Sequence, residues 1–234
     1  MRVVSTRSGS ARVGPILPGP AYAAGVRLRL ALKDLVVASW PADPGAIRAT
    51  VFPGLEPATI EGRLLVSLVG LRFAGGRLGP IRVPPFAQLN VRTYVRYADE
   101  PAVYFLRSYV TPGGLGGALF GVPLRAARMR LRPGHADVPA AGFSLAYRPA
   151  EPGEPPELGR HELGLFEAAG LRQFRIAREA AEWRRAEASG TPRADVLRSF
   201  GFEPAGAPDV YVATGGSFVV EVPPRKSSSS RSRR

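Results

Sequence analysis

A chain of 234 residues is long enough to bury one sizeable core and short for two, so a single domain is expected. The net charge of +13 and pI of about 11.1 point to anionic partners, yet eight of the thirteen excess charges ride on the ends: Arg2, Arg7, Arg12, Arg225, Lys226, Arg231, Arg233 and Arg234. The absence of cysteine excludes a disulfide framework, a thiolate nucleophile and a cysteine-based metal site, and it fits a cytoplasmic protein.

Residues 1–12 read as a flexible basic arm, because Pro15, Pro18, Gly19 and Pro20 break up the apolar core that a signal peptide needs. Val26–Leu32 alternates apolar and mostly polar residues and predicts a first strand with one buried face. Trp40–Gly45 is a loop held extended by Pro41 and Pro44, and Ala46–Val51 predicts a short helix. Arg63–Phe73 is nearly unbroken in its apolar character, which predicts a strand covered on both sides. The longest apolar run, Leu64–Leu71, is far below the ~20 residues that cross a bilayer as a helix.

Residues 89–97 alternate strictly, laying Asn90, Arg92, Tyr94 and Arg96 along one strand face, and Asp99–Pro101 turns the chain into a second strand over 102–110. That polar face lines a pocket if it looks into a barrel, and is a solvated surface or an internal hydrogen-bond network otherwise. Glycines at 113, 117 and 121 would give a helix one side without side chains, suited to close packing on a sheet. Arg125–Arg132 and Gly142–Tyr147 resume the strand pattern, and 149–157 reads as a surface loop. Ala177–Ala188 is helical by propensity alone. Thr191 as N-cap and Pro192 at the first helical position predict a helix ending near Phe200, with Gly201 as its stop. Asp209–Thr214 and Ser217–Val222 predict two short strands around Gly215 and Gly216. Residues 225–234 form an Arg/Ser tail that cannot bury apolar surface and is expected to be disordered.

Gln88-Leu-Asn-Val-Arg-Thr-Tyr-Val95, followed by Val103-Tyr-Phe-Leu106, resembles the signature of the YqjF-like family of unknown function, which is related to the acetoacetate decarboxylase β-barrel. The resemblance covers roughly residues 26–222 and is specific around 88–106. It implies an α+β, β-rich fold: an antiparallel β-barrel of acetoacetate decarboxylase-like type with a few short flanking helices, forming one domain over 13–224. It also implies strands across 164–188, with Phe174, Ile176 and Trp183 at apolar positions, and strands are the expectation there.

The same resemblance raises Schiff-base decarboxylation, which needs a lysine amine activated by a second cation. The two lysines are Lys33 and Lys226, neither in the segment that resembles the lysine-bearing stretch, and Gln88 stands where related sequences carry glutamate. That activity is therefore not expected, and the fold alone does not carry it. The leading expectation is a barrel that binds a small, anionic organic molecule at Asn90, Arg92, Tyr94 and Tyr104, because a guanidinium matches a carboxylate or phosphate. A barrel interior packed solid is the plain alternative. A second function class is a non-specific nucleic-acid or anionic-surface binder working through the basic tails, in particular 225–234, with a steep loss of affinity in salt. No cofactor is implied, and His135 and His161, the only histidines, give no metal-ligand spacing. The glycine run 113–121 matches neither a P-loop nor a dinucleotide fingerprint, and no Gly-x-Ser-x-Gly elbow occurs. Nothing in the sequence fixes an oligomeric state.

Overall fold

The computed structural model describes residues 26–111, 124–152, 156–157, 161–178, 182–222 and 225–226. The basic arm 1–12, the glycine run 113–121 and the tail 227–234 lie outside the described residues. Among those described, the chain runs β1 (Val26–Pro41), α1 (Pro44–Thr50), β2 (Glu56–Pro57), β3 (Leu65–Leu78), β4 (Ile81–Val83), β5 (Phe86–Tyr97) and β6 (Glu100–Thr111). It continues through β7 (Leu124–Ala126), β8 (Arg130–Arg132), β9 (His135–Val138), β10 (Phe143–Pro152), β11 (Leu163–Glu167) and β12 (Leu171–Arg178). It ends with β13 (Glu182–Ala194), α2 (Asp195–Arg198), β14 (Asp209–Thr214), β15 (Ser217–Val222) and β16 (Arg225–Lys226).

Strands β3, β5, β6, β11, β12, β15 and β1 hydrogen-bond in that order, and β1 pairs back onto β3, which closes a seven-stranded barrel. The expected barrel was purely antiparallel; this one is mixed, because β6 and β11 run parallel, Leu163 opposite Ala102 through Phe166 opposite Phe105. A parallel neighbour needs a crossover, and β7 to β10 supply it. Those strands do not sit idle outside the barrel. β8, β9, β10, β13 and β14 form a second wing that joins the barrel at β1.

Two long lines of chain belong to both halves. β14 and β15 lie end to end along β1, in one register from Asp209 opposite Ser39 to Val222 opposite Val26. Gly215 and Gly216, both at positive φ, mark the break between them, so these two strands are collinear and not a hairpin. β12 and β13 follow that line on its other side, β12 against β15 in the barrel and β13 against β14 in the wing. This ladder on both edges is why 182–188 is strand in spite of its helical composition.

Alternation sorts the apolar residues into two cores. On β1, Leu28, Leu30, Leu32, Leu35 and Val37 face the barrel interior with Val69, Leu71, Phe73 and Phe218. Val36, Ala38 and Trp40 face the opposite way, into a core between the barrel wall and the wing with Phe143, Leu145 and Val212. Leu32 and Leu35 share a face because the register with β3 shifts at Lys33, a bulge that puts the lysine outside.

The helices depart from expectation at their starts. α1 begins at Pro44, two residues before Ala46, because the Asp43 carboxylate accepts from the Ala46 N–H at 3.0 Å and Pro44 fits the first turn. α2 begins at Asp195 and not after Thr191: Arg193 and Ala194 still pair with Ser144 and Phe143 of β10, so sheet pairing overrides the capping signal. The surface loop expected over 149–157 also starts later, since β10 extends to Pro152. Arg225 and Lys226 pair with Gln173 and Arg172 of β12.

Candidate functional site

The barrel interior holds a cavity of about 140 Å³. β5 supplies one wall: its inward row runs Phe86, Gln88, Asn90, Arg92, while Leu89, Val91 and Val95 of the alternate face pack into the outer core. Phe86 is half-buried at one end of the row, Arg92 is 6% exposed at the other, and Tyr94, next in the row, is fully buried beneath it. β6 adds Phe105, Ser108 and Val110, and β12 adds Phe174, Ile176 and Arg178.

The polar side chains of the cavity are tied together. Asn90 Oδ1 accepts from Gln88 Nε2 at 2.7 Å and from Ser108 Oγ at 2.9 Å. The Arg92 guanidinium lies 5.5 Å from the centroid of the Tyr94 ring, and Arg178 lies 5.6 Å from that of Phe218. Tyr94 Oη shares a hydrogen bond with Ser67 Oγ at 3.0 Å, and Ser67 with Ser39 at 2.8 Å, so a buried line of hydroxyls sits below the cavity floor.

Two guanidiniums at one end of an apolar cavity make the local potential positive. Burial first, and then the charge of Arg92, lowers the Arg178 guanidinium to about 10. His161, 7% exposed and with its ring 5.4 Å from that of Tyr94, is lowered to about 4 by burial and by the charges of Arg92 and Arg178. Its Nδ1 has no hydrogen-bond partner among the described residues. Among the described residues no group of three or more His, Cys, Asp or Glu is placed to hold a metal ion, and no helix is long and apolar enough to cross a membrane.

Of the four residues predicted for the site, Asn90 and Arg92 line the cavity, Tyr94 lies under its floor on the same face, and Tyr104 is not brought to it. Tyr104 pairs with Thr93 and points into the outer core, where burial and the Glu167 carboxylate push its phenol up to about 12. The hairpin register set by Tyr97 opposite Glu100 already assigns Tyr104 to the other face. Sequence reasoning missed Ser108, Arg178 and the inward role of Gln88. Gln88 was legible, standing two residues before Asn90. Ser108 was not: a bulge on β6 leaves Leu106 without an opposite residue, turning Arg107 out over Phe200 and Ser108 in beside Asn90.

The family DUF2071, an uncharacterized conserved protein, matches residues 29–214. YqjF of Bacillus subtilis (strain 168) is 34% identical over 82 residues, which are 33% of this chain and 34% of that protein, so the match spans about a third of its length. Among solved structures, the enduracididine biosynthesis enzyme MppR complexed with pyruvate superposes with a TM-score of 0.61 at 15% identity, covering 91% of this chain and 98% of its own. Acetoacetate decarboxylase from Legionella pneumophila subsp. pneumophila str. Philadelphia 1 gives 0.58 at 10% identity, over 89% and 91% of the two chains. An acetoacetate decarboxylase-like enzyme from Sphingomonas wittichii RW1 gives 0.59 at 13%, over 90% and 98%. The mixed seven-stranded barrel is thus of the acetoacetate decarboxylase-like kind, and the chain, matched along most of its length, belongs to the DUF2071 family.

Proposed function

We propose that the barrel binds a small anionic organic molecule whose acidic group is held at Arg92, with Arg178 alongside. The observation that carries this reading is the setting of Arg92, a buried guanidinium at the inner end of a cavity walled mostly by aliphatic and aromatic side chains. The planar fork of guanidinium donors matches a carboxylate through paired, charge-assisted hydrogen bonds, and these are strongest where water is excluded. Arg178 adds a second positive charge, and both charges add to burial in lowering His161. MppR, similar in fold, is complexed with pyruvate, an acid of this class. The proposal is binding without Schiff-base decarboxylation: Lys33 and Lys226 are exposed on β1 and β16, and neither lines the cavity. Among the described lining residues there is no carboxylate, and Gln88 offers an amide that cannot exchange a proton as an acid would.

Native mass spectrometry of the protein purified from its source cells tests the reading. A small-molecule adduct on the wild type, absent from a folded Arg92→Ala variant, is the expected result. An adduct retained in the variant, or salt-sensitive nucleic acid as the co-purifying species, overturns it.

A further inference from the structure

The cavity says more about its occupant than a charge. Its volume of about 140 Å³ is close to the roughly 150 Å³ of an apolar protein cavity that accepts benzene. Five phenylalanines line it in two sets from different walls. Phe73 of β3 meets Phe86 of β5 with ring centroids 4.8 Å apart, and Phe218 of β15 edge-on at 5.8 Å. Phe105 of β6 meets Phe174 of β12 at 5.4 Å. A Cβ at residue 164 would lie 2.5 Å from the Phe174 ring, so Gly164 on β11 is what leaves room for that ring where it stands.

The order of residues along β5 sets a direction. From its half-buried to its buried end the row reads Phe86, Gln88, Asn90, Arg92, closed off by Tyr94. An acid whose carboxylate meets Arg92 leaves the rest of its body among the phenylalanines, with the Gln88, Asn90 and Ser108 amides and hydroxyl along one side only. An acid of acetate or pyruvate size reaches Arg92 but leaves the aromatic walls uncovered, whereas one ring in edge or offset contact covers them. We infer that the cavity selects a monocarboxylate bearing one aromatic ring, of benzoate or phenylacetate size. This rests on the anion-binding reading above and adds the apolar body to it.

Isothermal titration calorimetry of the full chain at fixed low salt, with acetate, pyruvate, phenylacetate and benzyl alcohol as probes, decides the matter. Phenylacetate is expected to bind at least about tenfold more tightly than each of the other three. Equal affinities for acetate and phenylacetate overturn the aromatic inference and leave the anion site standing. Benzyl alcohol binding as tightly as phenylacetate, or no binding by any probe, overturns the anion-binding reading as well. Phe105→Leu, which keeps an apolar side chain in place, is expected to weaken phenylacetate several-fold and acetate by less. An unchanged phenylacetate affinity in that variant overturns the inference.

Discussion

Arg92 and His161 show how one buried cation shapes its neighbours. The imidazole of His161 is neutral in the fold because charging it would place a third cation, poorly solvated, beside Arg92 and Arg178; Glu157 opposes this only in part. Its folded value of about 4 lies below the ordinary 6.5, so between those limits the unfolded chain binds a proton that the native state refuses. Stability is therefore full above pH 6.5, falls as the pH drops through the window, and is level again below 4. The total is ~3 kcal/mol, and urea unfolding across pH 4 to 7 should show that slope in the wild type and a flatter one in His161→Phe. A carboxylate bound at Arg92 neutralises part of the field on His161. Benzoate should thus raise the His161 titration in proton NMR, with His135, the other histidine of the chain, as an internal control. Gln88 contributes at the same scale. As a donor to Asn90 it keeps this wall neutral, and Gln88→Glu should weaken phenylacetate binding in calorimetry at least several-fold by placing a carboxylate in the same inward row as Arg92.

At the scale of elements, register decides what the cavity contains. The bulge at Leu106 exchanges Arg107 for Ser108 in the inward row of β6, and the bulge at Lys33 keeps the only lysine of β1 outside while holding Leu32 and Leu35 on one face. Closure rests on β1 against β3, where Gly76 faces Leu30. A Cβ at residue 76 would fall 2.1 Å from the Arg29 carbonyl oxygen, a backbone contact that no rotamer relieves, and 2.8 Å from a Leu30 methyl. Gly76→Ala is expected to cost about 2 to 3 kcal/mol in urea unfolding. Gly79 sits at a φ of 57° with open space around it, so Gly79→Ala should cost only about 1 kcal/mol, and the ranking of the two separates steric closure from backbone preference. Ion pairs add little by comparison. Arg175 and Glu100 link β12 to β6 across β11, but both are about 40% exposed and such pairs contribute at most about 1 kcal/mol.

At the scale of the molecule, one barrel wall serves two cores. The inner core carries the cavity, and the outer core fastens the wing, α1 and α2 to the barrel, with Trp40 and Phe143 among its fully buried side chains. This division predicts that stability and binding separate. Trp40→Ala, in the outer core, should cost about 3 to 5 kcal/mol in unfolding while the folded fraction keeps its affinity for phenylacetate. The long lines β12–β13 and β14–β15 tie the two halves together, because each leaves the barrel and continues into the wing.

The sequence by itself determined which segments are strands wherever alternation was strong, and the inward row of β5, because a period of two fixes which residues share a face. It also placed both lysines, Lys33 and Lys226, far along the chain from the signature segment. Only the tertiary structure decided that the strand expected up to 188 runs on to Ala194 and that α2 waits until Asp195, since pairing with β10 outweighs the local capping signal. The parallel join of β6 and β11 likewise depends on where the chain re-enters the barrel, which no local pattern encodes. The same holds for the cavity. Ser108 reaches it through a bulge, Arg178 through a strand some eighty residues away, and the five phenylalanines meet because five strands from distant parts of the chain turn the same faces inward.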